Sequence, residues 1–256
     1  MIKYLIAPLA FVIIGAVTAQ AASDDPTATP YRPTVSTPAN LSEPGWLELE
    51  IGGQHINGGE TAKRDSIPAT LKYAFTPDWG IRVGGDALIR QKNTDGSTVS
   101  GIGDTSFILK RRFALDENTA FGLEGGVNLP TAKDGLGHGK TDYLLTGIYS
   151  ANLGPYHTDL NLSAIRLGQV GDGESRLQTA WAAGFSRPID DHWGIAGELS
   201  GTLRKGSPST AQFLVAASYN YSKRIVFDAG TAVGLNRASP DWTLFAGMTM
   251  LIGKIY

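Results

Sequence analysis

Four histidines, His55, His138, His157 and His192, are the side chains of this 256-residue chain best suited to general-base or metal chemistry, and it has no cysteine. A serine hydrolase needs its hydroxyl within reach of a histidine that a third group orients. His157 and Asp159 share a face at strand spacing, but no serine stands beside them in the sequence, and the other histidines lie in no such pattern. Without cysteines or paired histidines a metal site has little to build on. Asn93-Thr94-Asp95-Gly96-Ser97 has the look of a calcium loop that lacks its closing glutamate. Gly135-Leu136-Gly137-His138-Gly139-Lys140-Thr141 imitates a phosphate loop, yet Asp134 stands where the first glycine belongs, and the segment leads into a strand rather than a helix. The chain is therefore expected not to be an enzyme, and to carry no catalytic residue, metal or cofactor.

The charged residues are a larger set with a regular spacing. Glu48, Glu50, Lys72, Arg82, Asp86, Arg90, Asp104, Lys110, Arg112, Glu124, Asp142, Asp159, Glu198, Arg204 and Asp228, with Gln212, fall every second residue between apolar neighbours. That is strand periodicity, and it gathers the polar groups on one face. Both signs are interleaved. A strongly ion-selective pore would segregate them, so a salt-bridged network lining a lumen, with neutral or apolar cargo, is the better expectation.

The elements that must position this face are strands. Thirty-two glycines argue against helices, since each costs about 1 kcal/mol in a helix interior relative to alanine. Only 18% of residues are charged and the net charge is -2, which leaves no basic surface for nucleic acid. Met1–Ala21 has Lys3, an apolar run from Leu5 to Val17 and Ala19-Gln20-Ala21, the pattern of a cleaved export signal. The apolar run is too short for a spanning helix, which needs about 20 residues. Residues 22–45 hold Pro26, Pro30, Pro33, Pro38 and Pro44. They read as an extended periplasmic lead, a floppy tether in preference to a plug.

From Trp46 onward the period of two repeats. Leu47, Leu49 and Ile51 oppose Glu48 and Glu50; Ile81, Val83, Ala87 and Ile89 oppose Arg82, Asp86 and Arg90. The pattern predicts strands near 46–56, 66–76, 80–91, 103–113, 119–130, 141–152, 156–167, 175–186, 193–204, 210–221, 225–236 and 242–253. Short connections such as Gly154-Pro155 alternate with longer, Gly- and Ser-rich ones, among which Lys205–Ser209 is counted. An even strand number and that alternation predict an all-β, transmembrane, antiparallel up-and-down barrel over 46–256. Aromatics sort to its rims: Tyr73, Phe75, Phe113, Tyr149, Phe185, Tyr219, Tyr221 and Tyr256 form the expected periplasmic girdle, with Phe107, Tyr143, Phe213 and Trp242 at the other edge. Arg111 and Arg166 fall in the outward phase near strand ends, where snorkelling or a bulge would explain them.

Three segments resemble a known family. Gly101-Ile102-Gly103-Asp104, Val127-Asn128-Leu129-Pro130-Thr131 and Gly137-His138-Gly139-Lys140-Thr141-Asp142-Tyr143 are similar to elements of the outer-membrane proteins named for the meta pathway of phenol degradation. Ala132 replaces the usual glycine after Pro130-Thr131. The resemblance implies a Gram-negative outer-membrane channel or transporter, loosely tied to hydrophobic or aromatic compounds, with no catalytic residues to carry over. The chain is thus expected to pass small molecules, porin-like. Its partners would be a small-molecule solute, outer-membrane lipid and lipopolysaccharide, and the barrel assembly machinery, with no nucleic acid. A closed barrel whose external loops bind a partner or glycolipid is the alternative, and a lipid hydrolase the remote one.

Overall fold

A computed structural model describes residues 26–256; the export signal read at 1–21 lies outside the described residues. Thirteen strands follow in chain order: β1 (Trp46–Asn57), β2 (Lys63–Ala74), β3 (Trp79–Lys92), β4 (Thr98–Gly101), β5 (Thr105–Ala114), β6 (Thr119–Leu129), β7 (Asp142–Leu153), β8 (Tyr156–Arg166), β9 (Leu177–Pro188), β10 (Trp193–Arg204), β11 (Ser207–Ser222), β12 (Ile225–Gly234) and β13 (Trp242–Lys254). Each pairs antiparallel with its neighbours, and β13 returns to β1, so the sheet closes. Both β4 and β5 lie against β3 and together make one staff of the wall, interrupted at 102–104. The result is a closed twelve-stranded barrel without an edge to protect.

The barrel is apolar outside and polar inside. Leu162, Leu145, Phe185 and Leu244 are more than half exposed, while Glu48, Glu124 and Glu198 are at most 1% exposed. A continuous apolar exterior of this extent suits hydrocarbon rather than water. At the end with short turns, rings meet in edge and tilted pairs: Tyr73 with Tyr256 at 6.3 Å, Phe113 with Phe121 at 6.1 Å and Trp193 with Tyr219 at 4.9 Å. Arg111 stays in register and lays its guanidinium 5.0 Å from the Trp79 ring and 4.7 Å from that of Phe113, so no bulge is needed there. Arg187 and Arg224 cover Tyr156 and Trp46 in the same way.

Two expectations about the strands need correcting. Residues 205–209 are not a long loop: β10 and β11 are joined by Lys205-Gly206, with Gly206 at φ +84°, where a side chain would be strained. The outer part of β3 also changes phase. Ile67 pairs with Leu88 but Pro68 pairs with Asp86, which leaves Ala87 as an extra residue. Beyond it Ile89 turns inward and is fully buried, and Arg90 faces out across from Asp65. Pro68 has no N–H to give the ladder, so the bulge sits where pairing is already weakened.

Candidate functional site: the barrel interior

Residues 26–45, expected as a floppy tether in preference to a plug, instead run inside the barrel as a hairpin whose two ends lie at the short-turn rim, because the inward wall supplies the hydrogen-bond partners that the proline-rich segment lacks. The Ala28 N–H donates to the Lys223 carbonyl, and that of Gly45 to the Ala74 carbonyl. Between these points the inward carboxylates hold the chain by its backbone. The Thr29 N–H donates to Glu48 (2.9 Å), that of Tyr31 to Glu50 (2.6 Å), and those of Val35 and Ser36 to the two oxygens of Glu198 (3.0 and 2.7 Å). The Ser36 hydroxyl adds a third bond to Glu198. Asn161 closes an amide pair with Thr37, donating to its carbonyl and accepting its N–H. On the way back Ser150 accepts from the Ala39 N–H, and Arg112 donates to the Asn40 side chain. A segment rich in proline has few partners of its own, so its N–H groups are satisfied by the wall.

Lysines complete the mould. Lys72 donates to the Thr29 carbonyl and pairs with Glu48 and Glu50; Lys110 donates to the Pro38 carbonyl and the Tyr31 hydroxyl. The Tyr31 ring lies between their ammonium groups, 3.9 and 4.2 Å from its centroid, with Arg82 at 5.6 Å. Arg82 in turn pairs with Glu124 at 2.7 Å, and Lys110 reaches the same carboxylate. Arg32 makes a two-pronged bond to Asp228, at 3.0 and 2.9 Å. Buried charges are tolerable only when paired in this manner. Glycine clears the space: a Cβ on Gly52 or Gly247 would strike the Arg32 guanidinium, and one on Gly184 would lie 2.5 Å from the Ser36 hydroxyl.

At the opposite rim the three motif segments meet in one loop knot. Asp104, in the gap between β4 and β5, accepts the N–H of Ala132 (3.1 Å) and of His138 (2.9 Å). Lys133 bonds by its N–H to the Ile102 carbonyl and by its ammonium to that of Ser100. Gly137 abuts the Asp104 carboxylate with no room for a Cβ, and Leu136 is buried under the loop. Asp142 then pairs with His138 and accepts the Gly168 N–H at 2.8 Å. Ala132 fits without strain, since no described non-glycine residue has positive φ. Asp86 pairs with Arg64, and Arg204 with Glu174, near the same rim.

The serine absent from the linear reading is Ser150, brought beside Asp159 by the β7–β8 pairing. It does not make a nucleophile. Its hydroxyl donates to Asp159, and His157 bonds the same carboxylate at 3.1 Å, so the histidine cannot take the serine proton. Among the described residues no group of three His, Cys, Asp or Glu side chains could hold a metal ion.

Cavities lie at three levels of the interior. An outer vestibule of about 690 Å³ is bounded by Arg64, Asp86, Gln91, Asp104 and the loop knot. A chamber of about 240 Å³ lies among Val35, Asn161, Ser163, Ser200, Thr202 and Gln212. The third, about 360 Å³, opens at the short-turn end beside Ser36, Asp159 and Gly184.

No family model and no curated protein matches the chain. Among solved structures, an outer-membrane channel from Pseudomonas putida F1 superposes with a TM-score of 0.66 at 16% identity, over 84% of this chain and 98% of that one. The NanC porin gives 0.60 at 8% identity, over 80% of this chain and 100% of its own, and the KdgM porin 0.54 at 13%, over 80% and 99%. At such identities the likeness is one of fold: this chain has the architecture of these outer-membrane barrels.

Proposed function

We propose that the protein is an outer-membrane channel through which small molecules diffuse passively. The observation that carries this reading is the inside-out barrel, closed on itself, with cavities of about 690 and 360 Å³ at its two mouths and a polar wall between them. The fold shared with an outer-membrane channel and two porins supports it. The pairing of nearly every inward charge supports neutral over ionic cargo. The resemblance of the loop-knot segments to the phenol meta-pathway family adds aromatic or hydrophobic compounds as the class to try first. Liposome swelling with the purified full-length protein is the test. Swelling in small uncharged solutes above the rate of protein-free vesicles is expected, and a barrel as tight as bare lipid would overturn the reading. The hairpin favours a second reading, a closed barrel that displays its loop knot to a partner or glycolipid; an impermeable barrel that still binds lipopolysaccharide would favour it.

A further inference from the structure

The luminal charges are distributed unevenly around the wall. On β1 to β6 the inner face carries Glu48, Glu50, Lys72, Arg82, Lys110 and Glu124, each bonded to another of the set or to the hairpin. From β8 to β11 the middle rungs are small or uncharged, as at Asn161, Ala182, Ser200 and Gln212. The acids on that side, Asp159 and Glu198, are already engaged by Ser150, His157 and the hairpin.

The cavities line up along this neutral wall. The vestibule and the chamber share Thr210 and Pro240 as lining residues. The floor of the chamber is Val35, which is 55% exposed, and the cavity beneath begins at Ser36. On β9 the chamber ends at Ala182 and the lower cavity begins at Gly184, successive inward positions. One turn of backbone therefore separates the two. It is held by three hydrogen bonds to Glu198 and rests against a glycine.

Building on the channel reading, we propose that solutes travel along the β8–β11 wall, that the chamber above Val35 is a resting site for small uncharged molecules with both apolar surface and a hydroxyl or amide, and that Val35-Ser36 fastened to Glu198 is the bolt across the route. An ion would lose hydration in the chamber without finding an uncommitted charge to replace it. A molecule with one or two polar groups meets hydroxyls and amides at Ser163, Ser200 and Gln212.

The absence of native cysteine makes the route testable. In a Ser36→Cys, Gly184→Cys double variant the two side chains adjoin, and oxidation should fasten the bolt. Proteoliposome swelling in a neutral pentose should then fall to the protein-free rate and return with reductant. Glu198→Ala removes all three bonds that hold the bolt and should raise the rate by at least about tenfold, the worth of a single hydrogen bond to a charged group. A Val35→Cys variant carrying a bulky methanethiosulfonate adduct should also stop swelling, which covers a double variant that forms no disulfide. Swelling at the wild-type rate in the oxidised double variant or with the Val35 adduct would place the route elsewhere and leave the channel reading standing. No swelling from wild type, Glu198→Ala or the reduced double variant alike would overturn both.

Discussion

Individual inward residues act as backbone receptors more than as a selectivity filter. Glu198 and Glu50 were legible in the sequence as inward carboxylates because strand alternation fixes the face of each residue. Their partners were not, since Ser36 lies 162 positions from Glu198 and nothing local links the two. The inward glycines carry a related message, because at Gly52, Gly184 and Gly247 the missing side chain is replaced by the hairpin. Gly247→Leu should drive Arg32 off Asp228, which costs about 3–5 kcal/mol for a broken buried pair. Chymotrypsin should then cut after Tyr31 in folded, detergent-solubilised protein, whereas wild type, with that tyrosine buried, should resist. At the other rim Asp104→Ala removes the acceptor of two loop N–H groups. Hydrogen exchange at the Ala132 and His138 amides should quicken roughly 10- to 100-fold, as expected when bonds to a charged acceptor are lost. An unchanged rate would mean that the loop is held without Asp104, by the Lys133 bonds and Leu136 burial.

At the scale of elements, every strand was legible except the short β4 and the outer third of β3. Both failures have local causes. The staff formed by β4 and β5 is broken at 102–104 so that Asp104 can turn to the loop, and a two-residue period cannot show a residue that leaves the sheet. The bulge at Ala87 was hidden because Ile89 and Arg90 continue the apolar-out, polar-in alternation as though no residue had been inserted; Pro68 across from it was the available warning. Deleting Ala87 should return Arg90 to the interior and put Ile89 outside, with Gln91 losing its bond to Arg64. Loss of a buried isoleucine predicts a destabilisation of about 2–5 kcal/mol, measurable as a lower urea midpoint for the barrel. The hairpin itself offers no period to read. Prolines made it look unstructured, and its order comes from a wall supplied by distant parts of the chain.

For the whole molecule, the wall and the hairpin are electrostatically incomplete without each other. Removing residues 28–40 would leave Glu48, Glu50, Glu198 and Asp228 facing an open lumen, with Lys72 and Lys110 among their nearest cations. The truncated barrel should still close, because no strand pairing involves those residues. It should conduct more and prefer cations, which a reversal potential across a potassium chloride gradient would reveal; an anion preference would contradict this charge balance. Both ends of the hairpin emerge at one rim, as the bonds of Ala28 to Lys223 and Gly45 to Ala74 show. The segment is therefore looped into the barrel and never threaded through it. It can leave and return without a chain end crossing the lumen and without any strand unpairing. Occupancy is consequently a local binding equilibrium at the effective concentration of a tethered ligand, free to shift during the lifetime of a finished barrel.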